Sequence, residues 1–173
     1  VGPGVASLSA DCRNGIDCMT TETTCWSSIW QTDGVTEEYL AGHGRADAYK
    51  ELKPADVAYY DGCIELDLSK IECMIALPMH PSYAYPIREL KANAKDLLHE
   101  IETRANEQLS GKVKMDLVSK VRADGSIYVD QGIVAGCSGG TYENLCAVAD
   151  ILRGKSCGNG EFKFSVYPDS MPT

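Results

Sequence analysis

Basic stretches are missing from this chain. It carries 16 Lys and Arg against 25 Asp and Glu, a net charge of −9, with no Lys/Arg run or stripe. Nucleic-acid binding draws on cations that neutralise phosphates, so that class is disfavoured. The acidic balance still leaves room for a small anionic ligand, which a helix end can hold. Apolar runs fall far short of the ~20 residues of a membrane span. The opening VGPGVASLSA lacks the basic start of a secretory signal. No C-x-x-C occurs, which disfavours a zinc knuckle or ribbon built within the chain. The expectation is a cytoplasmic protein with no nucleic-acid partner and no membrane.

What is present fits a globular protein. Hydrophobic residues make up 44% and charged residues 24% of 173 positions, enough for one good core or two small ones. Eight cysteines stand at 12, 18, 25, 63, 73, 137, 146 and 157. Without a secretion signal they read mostly as buried, reduced thiols.

Helices are expected over 18–30, 35–40, 86–109 and 141–153. The third is the clearest: Ile87, Leu90, Ala94, Leu97, Leu98, Ile101, Ala105 and Leu109 fall on one face, with Pro86 at its start and Gly111 at its end. Trp26 and Trp30, at helical spacing, read as core or interface. Strands are expected within 57–68, which alternates, and at 74–77, 132–136 and 162–167; Asp124-Gly125 marks a turn. Strands separated by helices argue for an α/β fold, a mainly parallel sheet with helices on both faces.

The segment most suited to chemistry is GIVAGCSGGTYENLCAVADILRG, 132–154. An apolar strand runs into Gly-Cys-Ser-Gly-Gly and then a helix that Ser138 or Thr141 can cap, with Glu143 in its first turn. This position favours the Cys137 thiolate, the metal-ligating form. A plain glycine turn holding a cysteine would look the same.

This segment resembles the cluster-cysteine motif of the aconitase family, in which a strand leads into Gly-Ser-Cys-Thr-Asn, then an acidic pair and a small-residue helix. Cys137 falls on the motif cysteine, with Gly136, Ser138 and Gly139 where Ser, Thr and Asn are usual. YDGCIELDLSKIECMIALPMHPS (60–82), the opening GPGVASLSAD and the closing FKFSVYPDS (162–170) resemble further family segments in the same order. Cys73 replaces a usual proline, and Asp169 stands where Gly is common.

The resemblance implies a three-layer α/β/α fold, residues 1–85 being the end of one aconitase-type unit and 86–173 the start of the next. It implies an iron–sulfur hydro-lyase acting on a hydroxy-polycarboxylic acid. A four-iron four-sulfur cluster held by three cysteines would ease loss of hydroxide, and a separate base would remove a proton. Cys137 is the expected metal ligand. Asp11 falls where the family has an active-site Glu; the same carboxylate could equally be a helix cap. Ser7 falls where aconitases have a substrate-side Asn, or is a buried backbone hydrogen bonder. Ser138 is the second candidate substrate contact.

The family's other two cluster cysteines form a C-x-x-C beyond the strand ending this chain, and further substrate contacts come from other domains. The chain alone is therefore expected to hold no stable cluster and to show no turnover. Its expected partners are a hydroxy-carboxylate and the remaining domains of the parent. The alternative is a non-catalytic aconitase-like domain with a structural or regulatory role. A thiol-redox domain is least favoured, because Cys137 has no resolving cysteine near it in sequence.

Overall fold

Ser9 opens the first helix. Its Oγ accepts the N–H of Cys12 at 3.0 Å, the bond an N-cap serine supplies. In the computed structural model, which describes residues 1–173, helix α1 runs Ala10–Cys18. It stops at a threonine-rich stretch. The hydroxyls of Thr20, Thr21 and Thr23 each donate to the carbonyl three residues back, and a short 3-10 helix, Met19–Thr23, ends at Thr24 with φ 59°. β-Branched residues that bond their own backbone weaken an α-helix. The helix expected over 18–30 therefore does not form. Trp26 is fully exposed, and Trp30 donates its Nε1–H to Asp17 Oδ1 at 2.7 Å.

The remaining elements, in order, are α2 (Gly34–Gly42), β1 (Met74–Ala76), β2 (Ala84–Pro86), α3 (Ile87–Ala92), α4 (Ala94–Gln108), β3 (Gln131–Val134), α5 (Gly136–Gly139), α6 (Tyr142–Leu152) and β4 (Lys163–Val166), with short 3-10 turns. The fold is mixed α/β. Its strands form two two-stranded sheets, β1 with β2 and β3 with β4. No helix is long and apolar enough to cross a membrane. The chain divides into two compact units: Val1–Leu68, Gly132–Asn159 and Lys163–Thr173 form the first, Ser69–Gln131 and Gly160–Phe162 the second.

The second unit holds all the fully buried apolar side chains. Leu77, Leu90, Ala94, Leu98, Ile101 and Ala105 make its core, with Tyr83, Tyr85, Leu117, Val121 and Ile127 packed around it. The apolar face expected over 86–109 is thus present, but the helix breaks in two at Asn93. Asn93 has φ −128°, its N–H donates to the Glu89 carbonyl at 3.0 Å, and its side chain donates to the same oxygen. Pro86 sits just ahead of α3, as its fixed φ and missing N–H suit. β1 and β2 form an antiparallel hairpin with Ile75 opposite Tyr85. After α4 the chain is pinned back by side chains: the Asn106 amide brackets Met115, and Glu102 Oε2 accepts the N–H groups of Leu117 and Val118. The Asp124-Gly125 turn forms, Gly125 taking φ 82°.

The first unit has no fully buried apolar side chain; its buried polar residues are Arg13 and Thr141. Arg13 organises it. Its Nε donates to the Leu8 carbonyl and Nη2 to the Val5 carbonyl, while Nη1 and Nη2 grip Asp33 at 2.9 and 2.8 Å. Asp33 in turn caps α2 by accepting from the N–H groups of Val35 and Thr36. The stretch 57–67 lies exposed and outside any strand, contrary to its alternating pattern. Alternation specifies which face would be buried, but a strand needs a ladder partner, and none of the four strands pairs with this stretch. The cysteines are free, as read, but not buried: seven are exposed and Cys18 is half-buried.

Two expectations follow. Ile101 is completely buried, so Ile101→Ala should cost about 2–5 kcal/mol, read as a lower denaturant midpoint. The Arg13 hydrogen bond, with the Val35 and Thr36 amides, holds the Asp33 carboxyl down from 3.8 to about 2. An acid depressed in the folded state contributes stability above its unfolded pKa and loses it as pH falls through the folded one. Protection of α1 and α2 amides from hydrogen exchange should therefore fall between about pH 4 and pH 2, with a shallower fall in Arg13→Met. An unchanged slope in the variant would assign the effect to other carboxylates.

Candidate functional site

Two helix starts meet in the first unit. Ser9, the N-cap of α1, donates its hydroxyl to Glu143 Oε2 at 2.5 Å, and Asp11, in the first turn of α1, accepts the Glu143 backbone N–H at 3.1 Å. Asp11 thereby supplies the cap of α6. Neither residue expected in that role does so: Thr141 stands at the N-cap position without a side-chain cap bond, and Ser138 donates its hydroxyl to the Gly15 carbonyl at 3.2 Å. The lacing leaves a carboxylate near each N-terminus, where the helix dipole favours it.

The turn between β3 and α6 follows from its glycines. Gly136 takes φ +83°, a conformation a side chain resists, which accounts for glycine ahead of Cys137. Gly140 is needed for closeness: a Cβ there would lie 2.6 Å from the Tyr167 carbonyl oxygen and 2.8 Å from the Asp169 nitrogen. The Asp169 N–H donates to the Gly140 carbonyl at 3.0 Å, which holds the chain after β4 against the turn.

A cleft of about 700 Å³ opens over this junction. Asp11, Asn14 and Cys18 line it from α1, Glu38 from α2, and Cys137, Glu143 and Asp169 from the α5–α6 side. Asp169 is held below its ordinary pKa, first by the Thr173 hydroxyl and then by Ser170. No Lys or Arg lines the cleft, and His43 is its one histidine. Of the four candidate site residues expected from the sequence, Asp11 and Cys137 line this cleft. Ser7 does not line the cleft; it is exposed and donates to the Gly4 carbonyl at 2.7 Å. Ser138 is also absent from the lining and serves to bolt α5 to α1.

Sequence reading missed Cys18. Its Sγ lies 3.5 Å from the Cys137 carbonyl oxygen, although the two residues are 119 positions apart. Burial, and then the Cys137 side chain beside it, push the Cys18 thiol above its ordinary pKa. A signal was present. Had α1 been started at Ser9, then Asp11, Asn14 and Cys18 would have fallen at three-and-four spacing on one face.

The family model of the aconitase family (aconitate hydratase) matches residues 1–173. The chain belongs to the aconitase family. It is 29% identical over 159 residues to the 2,3-dimethylmalate dehydratase large subunit of Eubacterium barkeri, covering 92% of this chain and 30% of that protein. It is 28% identical over 159 residues to the 3-isopropylmalate dehydratase large subunit of Caldicellulosiruptor bescii, covering 92% and 29%. Over 154 residues it is 27% identical to the corresponding subunit of Acetivibrio thermocellus, covering 89% and 28%. The chain thus spans less than a third of the length of these relatives.

Membership of the aconitase family implies a four-iron four-sulfur cluster in the parent. These residues alone do not fit it. No group of three or more His, Cys, Asp or Glu side chains is placed to hold a metal, and at the cleft only two thiols converge. The donor set within these residues is incomplete.

Gly140→Ala should displace 167–169 and destabilise the first unit by about 1–3 kcal/mol. Gly139→Ala should not, because nothing lies within 4 Å of a Cβ there. Paired thermal melts of the two variants check this.

Proposed function

We propose that this chain is part of an iron–sulfur hydro-lyase that reversibly dehydrates and rehydrates a hydroxy-polycarboxylic acid. The observation that carries the reading is that Asp11 and Cys137, distant in sequence, line one cleft. In this reading Cys137 donates one thiolate to the cluster, and the other two come from parts of the parent outside these 173 residues. Asp11 acts as the base. One of its oxygens accepts the Glu143 N–H, which orients the carboxylate so that the other can take a proton from the carbon next to the departing hydroxyl. Ser7 and Ser138 are proposed substrate contacts of lower rank, since both hydroxyls are engaged with backbone carbonyls.

The isolated chain is proposed to be inactive. A polycarboxylate needs cationic partners, and the cleft carries several carboxylates and no Lys or Arg. Remaining domains of the parent would supply those cations. The same reading makes residues 1–85 the end of one α/β unit of the parent and 86–173 the start of the next. The exposed alternating stretch 57–67 supports a larger three-layer α/β/α core, because it needs strand partners from elsewhere. The free thiols suit a reducing, cytoplasmic setting.

A non-catalytic aconitase-like domain is the second reading, favoured by the use of Asp11 as a helix cap. The parent protein separates the two. Cys137→Ser should abolish the broad visible absorbance and bound iron after anaerobic reconstitution. Asp11→Asn should keep the iron and lower turnover roughly 10²- to 10⁴-fold, with 2,3-dimethylmalate and 3-isopropylmalate as first substrates. Full iron in Cys137→Ser would overturn the ligand role. Unaltered turnover in Asp11→Asn would leave that residue a cap.

A further inference from the structure

Sequence reading disfavoured redox chemistry because Cys137 lacks a neighbouring cysteine. Folding removes that objection. Cys18, at the end of α1, sits with its Sγ 3.5 Å from the Cys137 carbonyl oxygen. The contact is held by a built clasp. Ser138, next to Cys137, donates to the Gly15 carbonyl at 3.2 Å, one helical turn before Cys18. Both thiols line the same open cleft. Their exposures differ: Cys137 is exposed and Cys18 half-buried.

We propose that Cys18 and Cys137 are an oxidation site, a dithiol that a small peroxide converts to a disulfide when no metal occupies Cys137. The exposed Cys137 sulfur attacks hydrogen peroxide, breaking the O–O bond to form a sulfenic acid and releasing one water. The Cys18 sulfur then attacks the Cys137 sulfur. An S–S bond forms, the S–O bond breaks, and the hydroxyl leaves as a second water with the Cys18 proton. Two thiols give up two electrons and two protons, and one peroxide becomes two waters. The half-buried Cys18 resolves the sulfenic acid before it is oxidised further, so the change remains reversible by thiols.

The consequence for metal binding rests on the cluster-ligand reading of Cys137 given above. A sulfur locked in a disulfide has no thiolate to offer, so oxidation of the pair would block cluster assembly until a reductant arrives.

The test uses the cluster-free parent protein. It is treated anaerobically with a small excess of hydrogen peroxide, free thiols are alkylated, and tryptic peptides are sequenced by mass spectrometry. Residues 14–45 and 123–153 are separate tryptic peptides, each with two cysteines, so fragmentation must assign the bond. The expected result is one dominant cross-link between Cys18 and Cys137. It should be lost in Cys18→Ala, with Cys137 then running on to sulfinic acid, and retained in Cys25→Ala. A dominant link from Cys137 to Cys146 or Cys25, or sulfinic acid at Cys137 with Cys18 alkylated in the wild type, would overturn the proposal without recourse to any variant. Iron uptake on reconstitution should fall in proportion to the cross-linked fraction and return after dithiothreitol. If the cross-link forms and iron uptake is unchanged, the dithiol stands and the ligand reading of Cys137 fails.

Discussion

One guanidinium supports the candidate site. Arg13 is buried, yet it is surrounded by acceptors: two backbone carbonyls from the segment ahead of α1, and both oxygens of Asp33 ahead of α2. Removing a charge from water costs several kcal/mol unless it is paired and hydrogen-bonded. Here the pairing is bidentate, and Asp33 is itself satisfied by two amides of α2. The arrangement therefore fixes directions more than it adds stability. It sets the entry of α1, which carries Asp11 and Cys18, and the entry of α2, which carries Glu38 to the same cleft.

The two units illustrate different ways of holding a shape. The second is built on apolar packing around Ile101, with side-chain clamps from Asn106 and Glu102 finishing the loop. In the first, polar contacts do this: Ser9 to Glu143, Asp11 to the Glu143 amide, Ser138 to Gly15, and the close backbone approach at Gly140. Directional bonds of this kind locate side chains precisely enough for chemistry but bury little apolar area. A unit organised this way depends on surroundings for stability to a greater degree than one with a dry core.

Legibility in the sequence followed the range of the interaction. The apolar face over 87–109, the strand–glycine–helix segment around Cys137 and the turn at Asp124-Gly125 are local patterns, and the structure contains them. The family resemblance was legible for the same reason, being carried by short ordered segments. The boundary of α1 was misread because Trp26 and Trp30 stand at helical spacing, whereas the threonine hydroxyls turn the backbone out of the α conformation. That error hid the face shared by Asp11, Asn14 and Cys18. The Cys18–Cys137 contact and the capping of α6 by a residue from α1 are long-range, and no spacing rule reports them.

Trp26, Ile29, Val57, Tyr59, Tyr60, Ile64 and Leu66 all belong to the first unit and stand in solvent. Scattered exposed apolar residues need no explanation, but a run of them within one poorly buried unit is a surface that a partner could cover. On the proposed function, the cover comes from the remaining domains of the parent; the chain spans less than a third of the relatives it matches. On the same proposal, that cover would also bring cations opposite the carboxylates of the cleft. Structural completion and functional completion of this unit are, on that view, the same event.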